Sequence, residues 1–160
     1  MNTAGCPFCG VAADRVFYHG ERVIGLWDAF PVSPGHALLV TRRHVATWFD
    51  AYPEEQAELS RAVAVAHAAI EARHAPDGYN VGINIGVAAG QTVPHLHVHV
   101  IPRYDGDVPD PRGGVRHVIP GKGNYLAARP VAAADASNPA AGDVVSQPSP
   151  PDEDGPDTDG

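Results

Sequence analysis

The chain of 160 residues has little of several things, and each shortage narrows the possibilities. It holds no apolar run long enough for a membrane-spanning helix. Met1 to Gly5 carry no basic segment and no apolar stretch follows, so a secretory leader is not expected and the cytoplasm is the expected compartment. Only two cysteines occur, close together at Cys6 and Cys9. In a reducing compartment that pairing suits a metal or redox site better than a structural disulfide. Internal repeats are absent. From Val131 onward there is no aromatic residue, no Lys and no Arg, while six Asp and one Glu put −7 of the net −8 charge there. Residues 131–160 cannot bury enough surface to offset chain entropy, so a disordered acidic tail is expected. Residues 1–130 are left nearly neutral, which gives little support for a general affinity for nucleic acid.

What is present suits one domain of about 130 residues, with a core over 6–104. Arg15 to His19 and Glu21 to Asp28 read as short strands, and His36 to Thr41 as an apolar one. Pro53, Glu54 and Glu55 suit a helix start. Leu59, Val63, Ala66 and Ile70 then recur at helical spacing, so a helix is expected from about Pro53 to about His74. Tyr79 to Ile85 alternates like a strand, a Gly-rich loop spans Gly86 to Gly90, and His95 to Ile101 forms the last strand. The class is α+β: an antiparallel sheet of about five strands with one main helix. The Pro- and Gly-rich stretch 102–125 keeps Val115, Val118, Ile119 and Tyr125, so it is expected to be an ordered loop packed on the body.

His95-Leu96-His97-Val98-His99-Val100-Ile101 carries the chemistry. On a strand the three imidazoles share one face and Leu96, Val98 and Val100 the other. Neighbouring histidines then stand roughly 6–7 Å apart. Two same-face positions can supply two metal ligands, but a third converges poorly on one ion. Just before the row, Gly90-Gln91-Thr92-Val93-Pro94 offers backbone N–H groups and an amide that suit phosphate oxygens. His19, His67, His74 and His117 read as ordinary structural or exposed histidines.

The stretch from Asn84 to Arg103 resembles the His-φ-His-φ-His-φ-φ signature (φ apolar) of the histidine-triad superfamily, in the branch with the fragile-histidine-triad hydrolases and bacterial relatives. Asp28 to His44, with Pro34-Gly35-His36 leading into a strand, is similar to the family's other block. The resemblance implies the family's fold, a homodimer and a nucleotide substrate. It implies hydrolysis at the α-phosphate of a dinucleoside polyphosphate or a nucleoside phosphoramidate, with no organic cofactor. By position, His97 would be the nucleophile, with the His95 carbonyl holding its other ring N–H. His99 would donate to the α-phosphate, and His36 would reach the same pocket. Gln91 and the backbone of Thr92 would meet phosphate, Asp28 the ribose hydroxyls, and Asn84 would support the phosphate site. Transferases of the superfamily resemble His-x-His-x-Gln; His99 in the third place implies water as acceptor. Removal of adenylate from DNA ends, or a nucleotide-binding module with little turnover, are the alternatives.

Cys6-Pro7-Phe8-Cys9 is half of a zinc knuckle, with a redox pair or free thiols as alternatives. The resemblance implies His44 and His95 as the other two ligands of a structural zinc. Finally, Arg103, Arg112, Arg116, Lys122 and Arg129 against Asp105, Asp107 and Asp110 make the last segment of the body basic. They could grip distal phosphates, or form a solvated loop with ordinary counter-charges, a lid or a dimer arm.

Overall fold

The computed structural model describes residues 5–126. The acidic tail lies outside them, as does Arg129. Five strands form one sheet: β1 (Val16–His19), β2 (Val23–Trp27), β3 (Ala37–Thr41), β4 (Gly78–Gly82) and β5 (His97–Arg103). Every pairing is antiparallel and the order is β1-β2-β3-β5-β4. One helix, α1 (Pro53–Glu71), lies across a face. The expected class and strand count are those observed. No helix among the described residues is long and apolar enough to cross a membrane.

Sheet and helix meet through the alternation already visible in the sequence. Leu39, Leu96, Val98 and Val100 on the sheet pack with Leu59, Ala62, Ala66 and Ile70 on α1. Val63 flanks this stripe half-buried, so Ala62 takes the central place, where its small side chain lets helix and sheet approach. Leu26, Leu38 and Val40 form a second, smaller cluster with Phe8, Val11, Val16 and Ile24.

Charge fastens the helix N-terminus. Glu55, 3% exposed, accepts the Tyr52 N–H at 2.8 Å and both arms of Arg43 at 2.9 and 2.6 Å. Its carboxyl is held below the usual range chiefly by those Arg43 hydrogen bonds. One turn on, buried Glu58 accepts the N–H groups of Arg22 and Val23 and so clasps the β1–β2 turn to the helix. The helix ends at Glu71, three residues before the expected His74; hydrogen bonds from Arg73 and His74 to Ile70 close a last turn. Pro76 disfavours helical backbone in the residue before it, which explains the stop.

Two strands differ from expectation in ways that shape the site. β5 begins at His97, not His95, because Leu96 instead donates to the Val45 carbonyl at 2.6 Å. β4 ends at Gly82, opposite His99, so Ile83, Asn84 and Ile85 leave the ladder. Pro102 is tolerated in β5 because β3 stops pairing at Ala37–Val100, before Pro102 is reached. After β5, the Gly114–Val118 turn of 3-10 helix lies beside β4, but Val115, Val118, Ile119 and Tyr125, expected to pack on the body, are all exposed.

Candidate active site and metal-ligand cluster

His97 and His99 are neighbours on one face of β5, their rings 5.0 Å apart and close to perpendicular. Nδ1 of His97 donates to the His95 carbonyl at 2.7 Å. That bond fixes the tautomer and leaves Nε2 with a bare lone pair. Phe8 packs against the His97 ring at 5.0 Å and shields it from water. The sequence reading missed Phe8; its only signal was its place inside the Cys-x-x-Cys element.

His36, at the entrance to β3, joins this pair across the sheet. The register sets Leu38 opposite His99, which brings the His36 ring beside His99. His36 Nε2 and His99 Nδ1 are 3.0 Å apart. Nδ1 of His36 faces both the Val32 N–H at 3.4 Å and Asp28 Oδ2 at 3.1 Å. A proton on that nitrogen makes the carboxylate contact a hydrogen bond. Burial nevertheless pushes His36 below the ordinary histidine range, with Asp28 opposing. His99 is pushed down to about 4, first by burial and then by neighbouring His97 and His36. Both rings are therefore neutral at pH 7.

The remaining expected residues lie around this centre. Asn84, freed from β4, lines a cavity of about 580 Å³ together with His36 and His99. Asp28 accepts the Phe30 N–H through Oδ1 while Oδ2 faces His36. Gln91 is engaged within the loop: it accepts from Gly86 N–H at 2.8 Å and donates to the carbonyls of Ala46 and Val93. Gly90 makes that loop's reversal at φ +85°, a conformation L side chains rarely adopt. Thr92 is exposed. His117, read from sequence as an ordinary histidine, lines the cavity. Of the basic residues, Arg103 pairs with Asp107 and Asn80, Arg112 pairs with Asp110, and Arg116 donates to the Gly123 carbonyl and lies over the Tyr125 ring.

His95 belongs to a different cluster. Nε2 of its fully buried ring donates to the Thr41 carbonyl at 2.7 Å, leaving Nδ1 as a lone-pair donor. That nitrogen stands 3.4 Å from Cys6 Sγ and 3.6 Å from Cys9 Sγ, and His44 Nδ1 stands 3.2 Å from Cys9 Sγ. Sulfur and nitrogen ligands around a tetrahedral ion are about 3.5 Å apart. The four groups converge within 4.8 Å of one another and fit such an ion, with Thr41 as the outer partner that orients His95.

A family model described as HIT domain matches residues 10–106. The chain therefore belongs to the HIT family. Over 93 residues it is 39% identical to the bis(5'-nucleosyl)-tetraphosphatase [asymmetrical] of Schizosaccharomyces pombe, covering 58% of this chain and 51% of that one. Over 93 residues it is also 39% identical to the AP-4-A phosphorylase of Mycobacterium tuberculosis, covering 58% and 48%. It thus spans about half the length of these two enzymes. A solved Zn-bound histidine triad family protein from Mycobacterium smegmatis aligns with a TM-score of 0.57 at 34% identity, over 68% of this chain and 86% of that one.

Proposed function

We propose that this chain hydrolyses nucleotide derivatives at the α-phosphate, dinucleoside polyphosphates or nucleoside phosphoramidates, through a nucleotidyl-histidine intermediate on His97. The observation that carries this reading is a His97 Nε2 left bare by the bond from Nδ1 to the His95 carbonyl, with the His99 ring 5.0 Å away on the same strand face. One would be a nucleophile and the other a donor, two side chains apart. In the first step the His97 Nε2 lone pair attacks phosphorus, the bond to the bridging oxygen breaks, and the leaving group departs with that bond's electrons. His99 donates to a non-bridging oxygen, where charge builds. His97 is then cationic, its proton kept on Nδ1 and hydrogen-bonded to the His95 carbonyl, which makes Nε2 a good leaving nitrogen. Water attacks phosphorus and gives up a proton to solvent, the P–N electrons return to Nε2, and the mononucleotide is released. Asp28 would take the ribose hydroxyls and Asn84 would support the phosphate. Gln91, tied into its loop, would act by shaping it and through backbone N–H groups that include Thr92's.

The test is substrate labelled at the α-phosphate, quenched without acid and mapped by peptide. Label on the peptide that holds His97 is expected; label elsewhere, or none with turnover intact, overturns the mechanism. Likeness to a phosphorylase favours one second reading, in which inorganic phosphate is the acceptor. Diadenosine tetraphosphate would then yield ADP and ATP rather than AMP and ATP. Product analysis with and without phosphate separates the two.

Cys6, Cys9, His44 and His95 would hold a structural zinc, supported by their spacing and by the Zn-bound relative. When bound, zinc would supply cross-linking, not chemistry at phosphorus. A homodimer is supported by edge strand β4 and an adjoining apolar groove of about 380 Å³ that includes Trp48, Val63, Val81 and Ile83. Light scattering on the purified chain checks it.

A further inference from the structure

Resting on the hydrolase reading above, we propose that the cavity beneath Gly114–Val118 receives the nucleobase of the leaving portion of the substrate. A dinucleotide would then be preferred to a bare polyphosphate chain. The cavity, about 580 Å³, starts at His36 and His99 and runs outward over β4 and β5. That volume suits a small flat heterocycle with its ribose. Its outer walls are apolar: Ile101 forms the floor and Val115 and Val118 the roof. Val115 is 59% exposed and Val118 77%, so the roof offers apolar surface with nothing packed on it.

The polar groups at its end are those of a base site, not of a phosphate site. Among the described residues, the cavity lining holds no Arg or Lys: Arg103 and Arg112 pair with Asp107 and Asp110, and Arg116 donates to the Gly123 carbonyl and lies over the Tyr125 ring. Asn80 is different. Arg103 donates to its Oδ1 at 2.6 Å, which turns Nδ2 toward Gly114 as a donor for a ring-nitrogen or carbonyl acceptor. The His117 ring is fixed in the same wall: its Nε2 donates to the Arg112 carbonyl at 3.0 Å, and Gly123 leaves it the room. It offers an aromatic surface to a flat ligand. The roof lies beyond residues 10–106, the stretch that the family model matches. Specificity for the leaving group would thus be built from the segment that follows the triad.

The experiment compares diadenosine tetraphosphate with adenosine 5'-tetraphosphate on the full chain. Attack at an adenosine-linked phosphorus releases AMP from both; the leaving groups, ATP and triphosphate, differ only by the second adenosine. The expected kcat/KM ratio favours the dinucleotide at least about tenfold, the scale of one well-packed apolar group. Val115→Asp and Val118→Asp, both at exposed positions, should each bring the ratio toward one. A wild-type ratio near one, or a ratio unmoved in both variants, overturns the assignment while the hydrolase reading stands. Turnover of neither substrate overturns the hydrolase reading and the assignment with it.

Discussion

His95 and His99 are the same residue type, four positions apart, yet they serve different clusters, His95 before β5 begins and His99 within it. At the His95 end, Nε2 is spent on a carbonyl and Nδ1 turns to two thiols and a second imidazole. At the His99 end, Nδ1 pairs with His36 Nε2 and the ring lines the cavity. The partner on the second nitrogen decides which nitrogen does the work. His97 sits between them with its tautomer set by the His95 backbone. One end therefore suits holding and the other suits chemistry, and substitutions should separate them.

The largest expected effect is at the nucleophile. His97→Asn should lower kcat by several orders of magnitude while nucleotide still binds, checked by steady-state kinetics and calorimetry. Near-normal turnover would erase the distinction drawn between the two ends. At the other end, chelation or Cys6→Ser should act on stability: loss of a bound ion should cost several kcal/mol, read as a Tm drop of several degrees or more. Turnover per folded molecule should fall far less than with His97→Asn. His99→Ala should reduce kcat/KM by roughly 10²–10³, the value of one fixed donor to a developing charge. His36→Ala should follow it in direction with a smaller loss, because His36 acts through His99.

A pH series sharpens the same contrast. The unfolded chain protonates its histidines near 6.5, whereas folded His99 holds out to about 4 and folded His36 is also lowered. Between those values the unfolded state binds more protons, so stability falls as pH drops from about 6.5 toward 4. Below about 4 the His99 contribution is fully spent. Thermal melts of wild type against His99→Gln should show a shallower acid slope in the variant; equal slopes would remove His99 as the cause. The smallest effect lies away from both ends. Glu58→Ala strips the acceptor from two backbone N–H groups, one of them on buried Val23, and should cost about 1–3 kcal/mol in denaturant unfolding with kcat unmoved.

Much of this was legible because period and residue type coincided. Leu96, Val98 and Val100 could only be a core face, and so three histidines had to share the other. Helix α1 announced itself through Pro53 and its apolar spacing. What was not legible depends on chain segments that meet only in three dimensions. Leu96 pairing with Val45 removes His95 from the strand, and no local pattern marks it. Gln91 looked like a phosphate ligand because its amide is near the triad in sequence; its bonds to Gly86, Ala46 and Val93 are made by the fold of the loop. The cavity roof was invisible as well, since Val115, His117 and Val118 follow no period and gain meaning only beside β4 and near His99.

The sulfur–imidazole contacts join residues 89 positions apart, from Cys6 to His95. An ion held there would close a ring through β1, β2, β3, α1 and β4. In an unfolded chain, closing so long a ring costs conformational entropy that grows with the logarithm of its length, so a cross-link that survives unfolding would destabilise the open chain by roughly 4–5 kcal/mol. Coordination bonds let go where a disulfide does not, and the ring would form late, after the sheet has gathered its ligands. The ion would then act as a latch on a finished fold: slow to matter during folding, decisive against unfolding, and open to control by whatever sets the supply of metal.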